Sequence, residues 1–450
     1  MAESLDIANE MEKIPELQHR NFRNDEFWKQ VPAWSNVSRE EFADSKWQLK
    51  NSIRKLDQMN KVLGKRVSKE FMADIEAGLK LTPMNIRITP YIFALIDWDT
   101  PADDPLRKQF LPLGSQFIAD HPFYREDSLS EDVDSPVETL THRYADKVLF
   151  LPTTICPVYC LYCTRSRIIG GSTDTVEKDT YGVNPKKWDA VFEYLMNHPK
   201  VEDVVISGGD AYMLTPAQIR PIGENLLRIP HIRRIRLATK GIAIFPQKIL
   251  TDDAWVNAVL DIVKLGRSYG KQVVIHTHFS SPLEITKWSQ MAMDRLFQEG
   301  VYVRNQAVMQ NGVNNKVNQM VLLTRQLSFI NIQPYYVYVH DMVPGCEHFR
   351  TTLREAVELE KAVRGTTAGF NTPTFVCDLP GGGGKRHVAS YEYYDEENGI
   401  SLWQAPYVKP GEVFMYYDPI HKLSPEAQKR WQSAKERENM VIEAKRKAGF

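Results

Sequence analysis

The chain has 450 residues, of which 25% are charged, and its formal net charge at pH 7 is −1. This balance gives no overall attraction to nucleic acid or to an anionic membrane surface, so small-molecule chemistry is the default expectation. No run approaches the ~18 apolar residues of a membrane span, and the N-terminus lacks the basic and apolar stretches of an export signal. Five cysteines in so long a chain are not a secreted disulfide framework, which predicts a reducing, cytoplasmic location.

Residues 1–120 are predicted to form an N-terminal helical region. Ser38-Arg-Glu-Glu41 has the capping-box pattern of a helix start, in which Ser and Glu side chains satisfy two backbone amides. The segment Trp47–Ile53 continues an amphipathic helical pattern. An acidic, serine-rich stretch from Tyr124 to Pro136 predicts a surface connector to the next region.

From Lys147 onward, short β-branched runs alternate with longer helical stretches. Strands are predicted at Lys147–Leu151, Val204–Ser207, Ile232–Ala238, Gln272–Thr277, Val301–Gln306 and Pro334–Val339. Helices are predicted at Lys187–Met196, Pro216–Ile229, Asp252–Gly270, Leu283–Gly300 and Lys316–Phe329. Such alternation implies parallel strands joined by right-handed crossovers. We therefore predict an α/β fold with a partial (βα)6 TIM-like barrel over residues 121–345, whose active groups lie at the C-terminal ends of the strands.

Residues 346–450 are predicted to form a C-terminal extension. A helix at Leu353–Arg364 leads into a strand-rich stretch, and a charged helix begins at Ser424. The extension also contains the run Pro380-Gly-Gly-Gly-Gly-Lys385. It is not a Walker A motif, because Arg386 stands where Ser or Thr is required. Four glycines are costly to order, which favours a loop whose bare backbone approaches a ligand, although a flexible surface loop is the simpler alternative.

Three of the five cysteines lie within eight residues, directly after the first predicted strand: Cys156, Cys160 and Cys163. Thiolates suit iron–sulfur clusters, and three of them can hold a cubane while leaving its fourth iron open. A structural zinc site is the main alternative, but it usually takes four ligands in two close pairs. Cys346 and Cys377 are isolated and do not form a second pair.

The CxxxCxxC spacing resembles the signature of radical S-adenosylmethionine (SAM) enzymes, and together with PGGGGK the chain resembles the lysine 2,3-aminomutase family. Further matching segments are spread over residues 40–420 in the same order: Trp47–Lys50, Ser135-Pro136, Thr141–Tyr144, Ser207–Asp210, Thr277–Phe279, Pro334–Tyr336 and Glu347–Arg350. The resemblance implies a radical SAM barrel with a C-terminal extension that binds pyridoxal 5′-phosphate (PLP) and contributes to oligomerisation.

The resemblance also implies roles for individual residues. The three cysteines would bind a [4Fe–4S] cluster, and SAM would be bound by Ser207, Gly208, Gly209 and Asp210. Lys385 would carry the PLP Schiff base, as a buried lysine whose lowered pKa favours nucleophilic attack. Four more residues would contact PLP: Arg143, Tyr144, Lys147 and Tyr338. The family usually has an arginine where this chain has Lys147, and lysine keeps the charge but lacks the bidentate fork.

The substrate-binding residues implied by the family are Arg165, Asp341 and Asp378. Arg165 matches the arginine that binds the substrate carboxylate, for which a guanidinium is well shaped. The two aspartates match a pair that binds the side-chain ammonium in lysine-specific members. Because adjacent carboxylates repel unless a cation lies between them, they imply a substrate with a distal positive charge. The sequence around Asp341, His340–Pro344, differs from the one expected in lysine-specific members.

The implied activity is therefore migration of the α-amino group of a cationic amino acid to Cβ, with L-lysine the first choice. A 5′-deoxyadenosyl radical would abstract hydrogen from Cβ while PLP holds the migrating nitrogen. Alternatives are an arginine 2,3-aminomutase, another radical SAM and PLP mutase or eliminase, and a non-catalytic cluster-binding homologue. The expected partners are an electron donor such as flavodoxin or ferredoxin and further copies of the same chain, joined through the terminal helices.

Overall fold

The computed structural model describes residues 18–178 and 180–450. The first part of the predicted helical region, residues 1–17, lies outside the described residues. The remainder forms a short-helix region, a nine-stranded sheet curved like a nearly closed barrel, and a small three-stranded sheet. Within the described residues, no helix combines the length and apolar content needed to cross a membrane.

The N-terminal region consists of short helices. The α-helices are α1 (Arg39–Ala43), α2 (Ser45–Lys50), α3 (Leu56–Leu63), α4 (Lys69–Leu79), α5 (Pro90–Leu95) and α6 (Pro105–Phe110), with 3-10 turns at Gln18–Arg20, Phe27–Gln30, Pro32–Trp34 and Gly114–Gln116. The predicted capping box is confirmed, since Ser38 accepts from the Glu41 amide at 3.1 Å and Glu41 accepts from the Ser38 amide at 3.2 Å. Tyr91 anchors the region to the barrel by a 2.8 Å hydrogen bond to Thr286.

Nine strands form the main sheet in the order of the chain. They are β1 (Leu140–Tyr144), β2 (Lys147–Thr153), β3 (Asp203–Gly208), β4 (Arg234–Ala238), β5 (Gln272–Thr277), β6 (Tyr302–Val308), β7 (Ile332–Tyr338), β8 (Thr374–Leu379) and β9 (Gly384–His387). Neighbours from β2 to β8 are parallel, whereas β1 and β9 are antiparallel edges. The two edge strands lie close together, as shown by the hydrogen bond of 2.9 Å that the Lys385 amide on β9 donates to the Tyr144 hydroxyl on β1.

Helices connect the parallel strands. They are α7 (Pro185–Met196), α8 (Pro216–Arg228), α9 (Gly241–Ile244), α10 (Gln247–Thr251), α11 (Asp253–Ser268), α12 (Lys287–Gln298), α13 (Val317–Phe329) and α14 (Leu353–Val363). The predicted six-unit α/β barrel is thus confirmed, and β8 adds a seventh parallel strand. The sheet therefore continues past residue 345, and the division of the chain into three regions stays a prediction.

Alternation along the strands separates the apolar core from the barrel interior. Successive side chains of a strand point to opposite faces. On β4, Ile235 and Leu237 join the apolar core, whereas the intervening Arg236 lines an internal cavity. On β3, Ile206 packs in the core and Ser207 lines the cavity. Polar side chains at alternate positions of these strands therefore face the barrel interior, while the residues between them keep the helix-facing core apolar.

The C-terminal extension ends in a three-stranded antiparallel sheet and two helices. The strands are β10 (Tyr393–Asp395), β11 (Ile400–Gln404) and β12 (Val413–Tyr417), and the helices are α15 (Pro425–Gln432) and α16 (Ala434–Lys447). The prediction of one helix from Ser424 onward is wrong, because Ser433 is extended and interrupts it. Ser433 accepts from the Glu436 amide and so begins the second helix.

Candidate active site

All the site residues expected from the sequence line one cavity of about 370 Å³ in the barrel interior. They are Cys156, Cys160 and Cys163; Ser207, Gly208, Gly209 and Asp210; Arg143, Tyr144, Lys147, Tyr338 and Lys385; and Arg165, Asp341 and Asp378. They come from the β1–β2 hairpin, from the loop after β2, from the C-terminal ends of β3 and β7 and the residues just beyond them, and from β8 and β9. One molecule bound in this cavity can therefore touch groups that are more than 200 residues apart in the chain.

The cysteines lie on the loop that follows β2. Two backbone hydrogen bonds of 2.9 Å, from Tyr159 to the Arg87 carbonyl and from Leu161 to the Gln109 carbonyl, fix this loop against the N-terminal region. All three thiols are free of disulfides. Burial raises the pKa of each of them, to about 12 for Cys160. Thiols in this environment become thiolates when a metal centre supplies compensating positive charge.

The donor set fits a cluster better than a single ion. An iron–sulfur cubane binds each of three thiolates at a different iron and leaves the fourth iron without a protein ligand. Three thiols on one loop also fall short of the four ligands of a structural zinc site. The donor set accordingly fits a cubane with one open iron.

The segment Ser207–Asp210 packs directly beside the cysteine loop. A Cβ on Gly208 would lie 2.3 Å from the Thr153 carbonyl oxygen, and one on Gly209 would lie 2.4 Å from the Ile155 carbonyl oxygen. Both glycines are therefore required by the close approach of β3 to the start of that loop. The Asp210 carboxylate accepts from the amides of Tyr212 at 2.8 Å and of Lys240 at 2.9 Å. The segment thus presents a rigid edge to the cavity.

Lys385 lies on β9 directly opposite Asp378 on β8. Its Nζ is 2.7 Å from Asp378 Oδ2, and it lies 5.8 Å and 5.5 Å from the ring centres of Tyr144 and Tyr338. Burial lowers the pKa of Lys385, but the Asp378 carboxylate, together with the Tyr338 and Tyr144 hydroxyls, raises that pKa well above its usual value. The expectation of a lowered pKa at Lys385 is therefore wrong, because a paired carboxylate stabilises the ammonium form.

The four glycines before Lys385 form the turn between β8 and β9. None of them lines the cavity. Gly381, Gly382 and Gly384 have φ of 82°, 89° and 76°, which residues with a Cβ rarely adopt. A Cβ on Gly383 would lie 2.7 Å from the Phe414 ring. The expected close approach of this backbone to a ligand is thus replaced by a tight turn that packs on β12.

Arg143 and Tyr338 are both held by neighbours at the cavity wall. Arg143 donates to Asp134 Oδ2 at 2.7 Å and to the Leu129 carbonyl. The Tyr338 hydroxyl donates to Gln306 Oε1 at 2.6 Å. Such contacts fix the two side chains before any ligand arrives, which lowers the ordering cost of binding.

Arg165 forms a bidentate ion pair with Glu131, with 2.9 Å from Nε to Oε2 and 2.6 Å from Nη2 to Oε1. Glu131 also lines the cavity and is only 5% exposed. Glu131 is not among the residues predicted from the sequence, because it lies in the segment interpreted as a surface connector. That interpretation is wrong for Ser128 and Glu131, both of which are buried. No local pattern indicates this pairing, since its partners are 34 residues apart.

Asp341 lies just beyond the end of β7 and Asp378 lies on β8. The two come together because β7 and β8 pair in parallel and the Val339 amide donates to the Val376 carbonyl at 2.8 Å. Burial, together with the neighbouring Asp378, raises the pKa of Asp341 to about 8. Asp378 Oδ1 is buried and has no hydrogen-bond partner among the described residues. A carboxyl group that is largely protonated near neutral pH thus lies beside a carboxylate oxygen that lacks a hydrogen-bond partner. Such a site favours a cationic ligand.

Comparison with known proteins agrees with this geometry. The L-lysine 2,3-aminomutase of Acetoanaerobium sticklandii is 38% identical over 391 residues, covering 86% of this chain and 87% of that one. The L-lysine 2,3-aminomutase of Bacillus subtilis is 37% identical, covering 82% and 74%. The glutamate 2,3-aminomutase of Clostridioides difficile is 31% identical, covering 78% and 77%.

No protein-family model matches the chain. Among solved structures, a radical SAM methyltransferase from Sphaerobacter thermophilus aligns over 53% of this chain and 68% of that one, with 16% identity and a TM-score of 0.34. This distant structural similarity carries no weight in assigning the family. The sequence identity of 37–38% over most of both chains assigns the family and confirms the resemblance expected from the motifs. The chain belongs to the lysine 2,3-aminomutase family.

Proposed function

We propose that this protein is an amino acid 2,3-aminomutase that converts L-lysine to β-lysine by moving the α-amino group to Cβ. The observation that supports it best is the single cavity, in which a cysteine triplet, a half-buried lysine and a pair of carboxyl groups face the same space. Each of these is a component that the reaction requires, and a shared cavity allows one substrate to contact all of them.

The cofactors follow from the residues that would hold them. Cys156, Cys160 and Cys163 would hold a [4Fe–4S] cluster, and the segment Ser207–Asp210 beside them would contact SAM. Lys385 would hold PLP, whose ring would lie among Arg143, Tyr144, Lys147 and Tyr338. When bound, cluster and SAM supply a 5′-deoxyadenosyl radical that removes a hydrogen atom, and PLP supplies the aldehyde carbon that carries the migrating nitrogen.

The chain itself would fix the substrate at both ends. Arg165 would bind the α-carboxylate, because its guanidinium has further N–H donors on Nη1 and Nη2 beyond the two that donate to Glu131. Asp378 holds an ammonium group at 2.7 Å in the pair with Lys385, so the side-chain ammonium of lysine is a matching ligand for it and for Asp341. Two such anchors would hold Cβ in one place while the apolar walls exclude water.

Family membership alone does not choose between cationic and anionic substrates, because a glutamate 2,3-aminomutase is among the relatives. The carboxyl pair favours a cation. A glutamate side chain at this place would bring a third carboxylate to Asp341 and Asp378, where like charges repel. Arginine satisfies the same charges and stays the second candidate substrate.

The proposal carries three further expectations. The cluster requires a reducing compartment, which favours the cytoplasm. The reductive step requires an electron donor such as flavodoxin or ferredoxin. A homo-oligomer joined through the terminal helices is expected from the family resemblance, and the exposed apolar Ile442 on α16, 63% of whose surface is accessible, is compatible with such a contact.

The deciding experiment is an anaerobic assay of the reconstituted protein with lysine, arginine, ornithine, glutamate and alanine, followed by mass-resolved analysis of β-amino products. We expect turnover of lysine and little or none of glutamate. A strong preference for glutamate would overturn the roles of Asp341 and Asp378. Release of ammonia with no β-amino acid would identify an eliminase, and the absence of SAM cleavage would identify a non-catalytic homologue.

A further inference from the structure

Two amines of the cavity lie near the same aromatic ring, that of Tyr144. The Lys147 Nζ lies 3.6 Å from the centre of the Tyr144 ring, and the Lys385 Nζ lies 5.8 Å from the same centre. Lys147 begins β2 and Lys385 lies on β9, so the two side chains reach the cavity from different strands of the barrel. An aldehyde carbon beside Tyr144 therefore has two amines in its neighbourhood.

The two amines differ in their partners. Lys385 is held as an ammonium by Asp378 at 2.7 Å. Lys147, by contrast, makes no ion pair with any Asp or Glu of the described residues, and its recorded partner is the Tyr144 ring. Its ammonium is therefore half-buried without a carboxylate to compensate its charge, a situation that favours the neutral amine.

The charge balance supports the same distinction. Burial, reinforced by the positive charges of Lys385 and Arg236, lowers the pKa of Lys147 to about 7, despite the opposing effect of Asp378 and Asp203. About half of the Lys147 amines are then neutral near pH 7, whereas for a lysine whose pKa exceeds its ordinary value the neutral fraction is below about one in a thousand. Only the neutral amine has the lone pair that attacks a carbonyl.

We propose that Lys147 is a second aldehyde-reactive amine of this site, which captures the cofactor aldehyde first and then passes it to Lys385. The proposal rests on the proposed use of PLP. It gives Lys147 a covalent role in loading the enzyme, beyond the contact with bound PLP that the sequence suggests.

The two steps conserve atoms and charge. In the first step the Lys147 nitrogen adds to the aldehyde carbon, and water leaves as the C=N bond forms. In the second step Lys385 first releases one proton to water, and its neutral nitrogen adds to that same carbon. The C–N bond to Lys147 then breaks as the C=N bond to Lys385 forms, and the two remaining N–H protons of Lys385 pass to the Lys147 nitrogen, which departs as a neutral amine. No oxidant or reductant is consumed.

Lys240 provides an internal control, because it is a third lysine of the same cavity and its charge is compensated. Its Nζ pairs with Glu284 at 2.8 Å and donates to the His278 carbonyl at 3.0 Å. If cavity lysines reacted merely because aldehyde is concentrated there, Lys240 would react as Lys147 does. If neutrality decides, Lys240 stays unmodified.

The test is borohydride trapping on the full-length protein freed of cofactor. One equivalent of PLP is added near pH 7, samples are reduced with sodium borohydride at increasing times, and the phosphopyridoxyl-lysine peptides are quantified by mass spectrometry. We expect the label almost entirely on Lys147 in the earliest sample, because the two neutral fractions differ by about 500-fold or more. The label then moves to Lys385, and Lys240 carries none throughout.

A matched variant keeps the charge around Lys147 constant. Lys385→Met combined with Asp378→Asn removes an ammonium and its carboxylate together, so PLP is expected to stay on Lys147, and adding Lys147→Arg abolishes that adduct. Label on Lys385 alone at every time, together with no label on Lys147 in the double variant, would overturn the proposal while leaving the proposed function intact. Label on neither lysine of the unaltered chain would overturn both.

Discussion

Replacing Asp341 by asparagine tests the electrostatics of the substrate site. Because its pKa is about 8, Asp341 is largely protonated at neutral pH in the empty cavity. A cationic side chain binds well only to the ionised form, so binding of lysine must displace that proton. Each pH unit below about 8 lowers the ionised fraction about tenfold. The KM for lysine should therefore fall about tenfold from pH 6 to pH 7 and level off above about pH 8.5.

The Asp341→Asn variant should lose this dependence, because an amide does not titrate. Above pH 8.5 its KM should exceed that of the unaltered protein by roughly 30- to 150-fold, which corresponds to about 2–3 kcal/mol for a buried charged contact. The assay is the steady-state KM for lysine at saturating cofactors and reductant from about pH 6 to 9. Asp261→Asn, a half-exposed carboxylate paired with Arg220 on the outer face of α11, is the matched control and should keep the slope.

Equal pH dependence of KM in the unaltered protein and in Asp341→Asn would refute this reasoning. So would a KM that rises with pH over the same range, because the sign of the effect follows directly from a raised carboxyl pKa.

Three other changes test separate parts of the site. Cys160→Ala should reduce the iron content and abolish the low-temperature signal of the reduced cluster, whereas Cys377→Ala, a buried cysteine on β8 that does not line the cavity, should leave both unchanged, as measured by iron analysis and electron paramagnetic resonance. Arg165→Lys should raise the KM for lysine roughly 10- to 100-fold in steady-state assays, because the bidentate fork is lost. Gly383→Ala should lower the thermal midpoint by several degrees, since a Cβ would lie 2.7 Å from the Phe414 ring, and an unchanged midpoint would contradict the packing role of that turn.

The central fold was predictable because local sequence patterns specify its strands and helices. Continuous β-branched runs such as Val204–Ser207 and Gln272–Thr277 mark buried parallel strands, and helices with one apolar face separate them. The edges were not predictable in the same way. β1 contains Thr141, His142 and Arg143, and β9 is four residues long, so only their pairing with β2 and β8 identifies them as strands.

The site was predictable where its residues are contiguous in a motif, as in the cysteine triplet and the segment Ser207–Asp210. The site was not predictable where its function depends on contacts between residues of separate segments that only the folded chain brings together. The β8–β9 register places Asp378 opposite Lys385, which reverses the expected pKa shift of the lysine. Glu131 pairs with Arg165 across a fold that brings a connector over the barrel, and no spacing in the sequence indicates that approach.

The most direct test of the account is hydrogen transfer from a bound substrate. Lysine deuterated at Cβ is incubated anaerobically with the reconstituted protein, SAM, PLP and reductant, and deuterium is followed by mass spectrometry. The account predicts deuterium in 5′-deoxyadenosine and at Cα of β-lysine, with loss of both in Lys385→Met although that variant retains its cluster. Transfer that continues without Lys385, or no transfer in the unaltered protein, would contradict the claim that the cysteine triplet and Lys385 serve one molecule in one cavity.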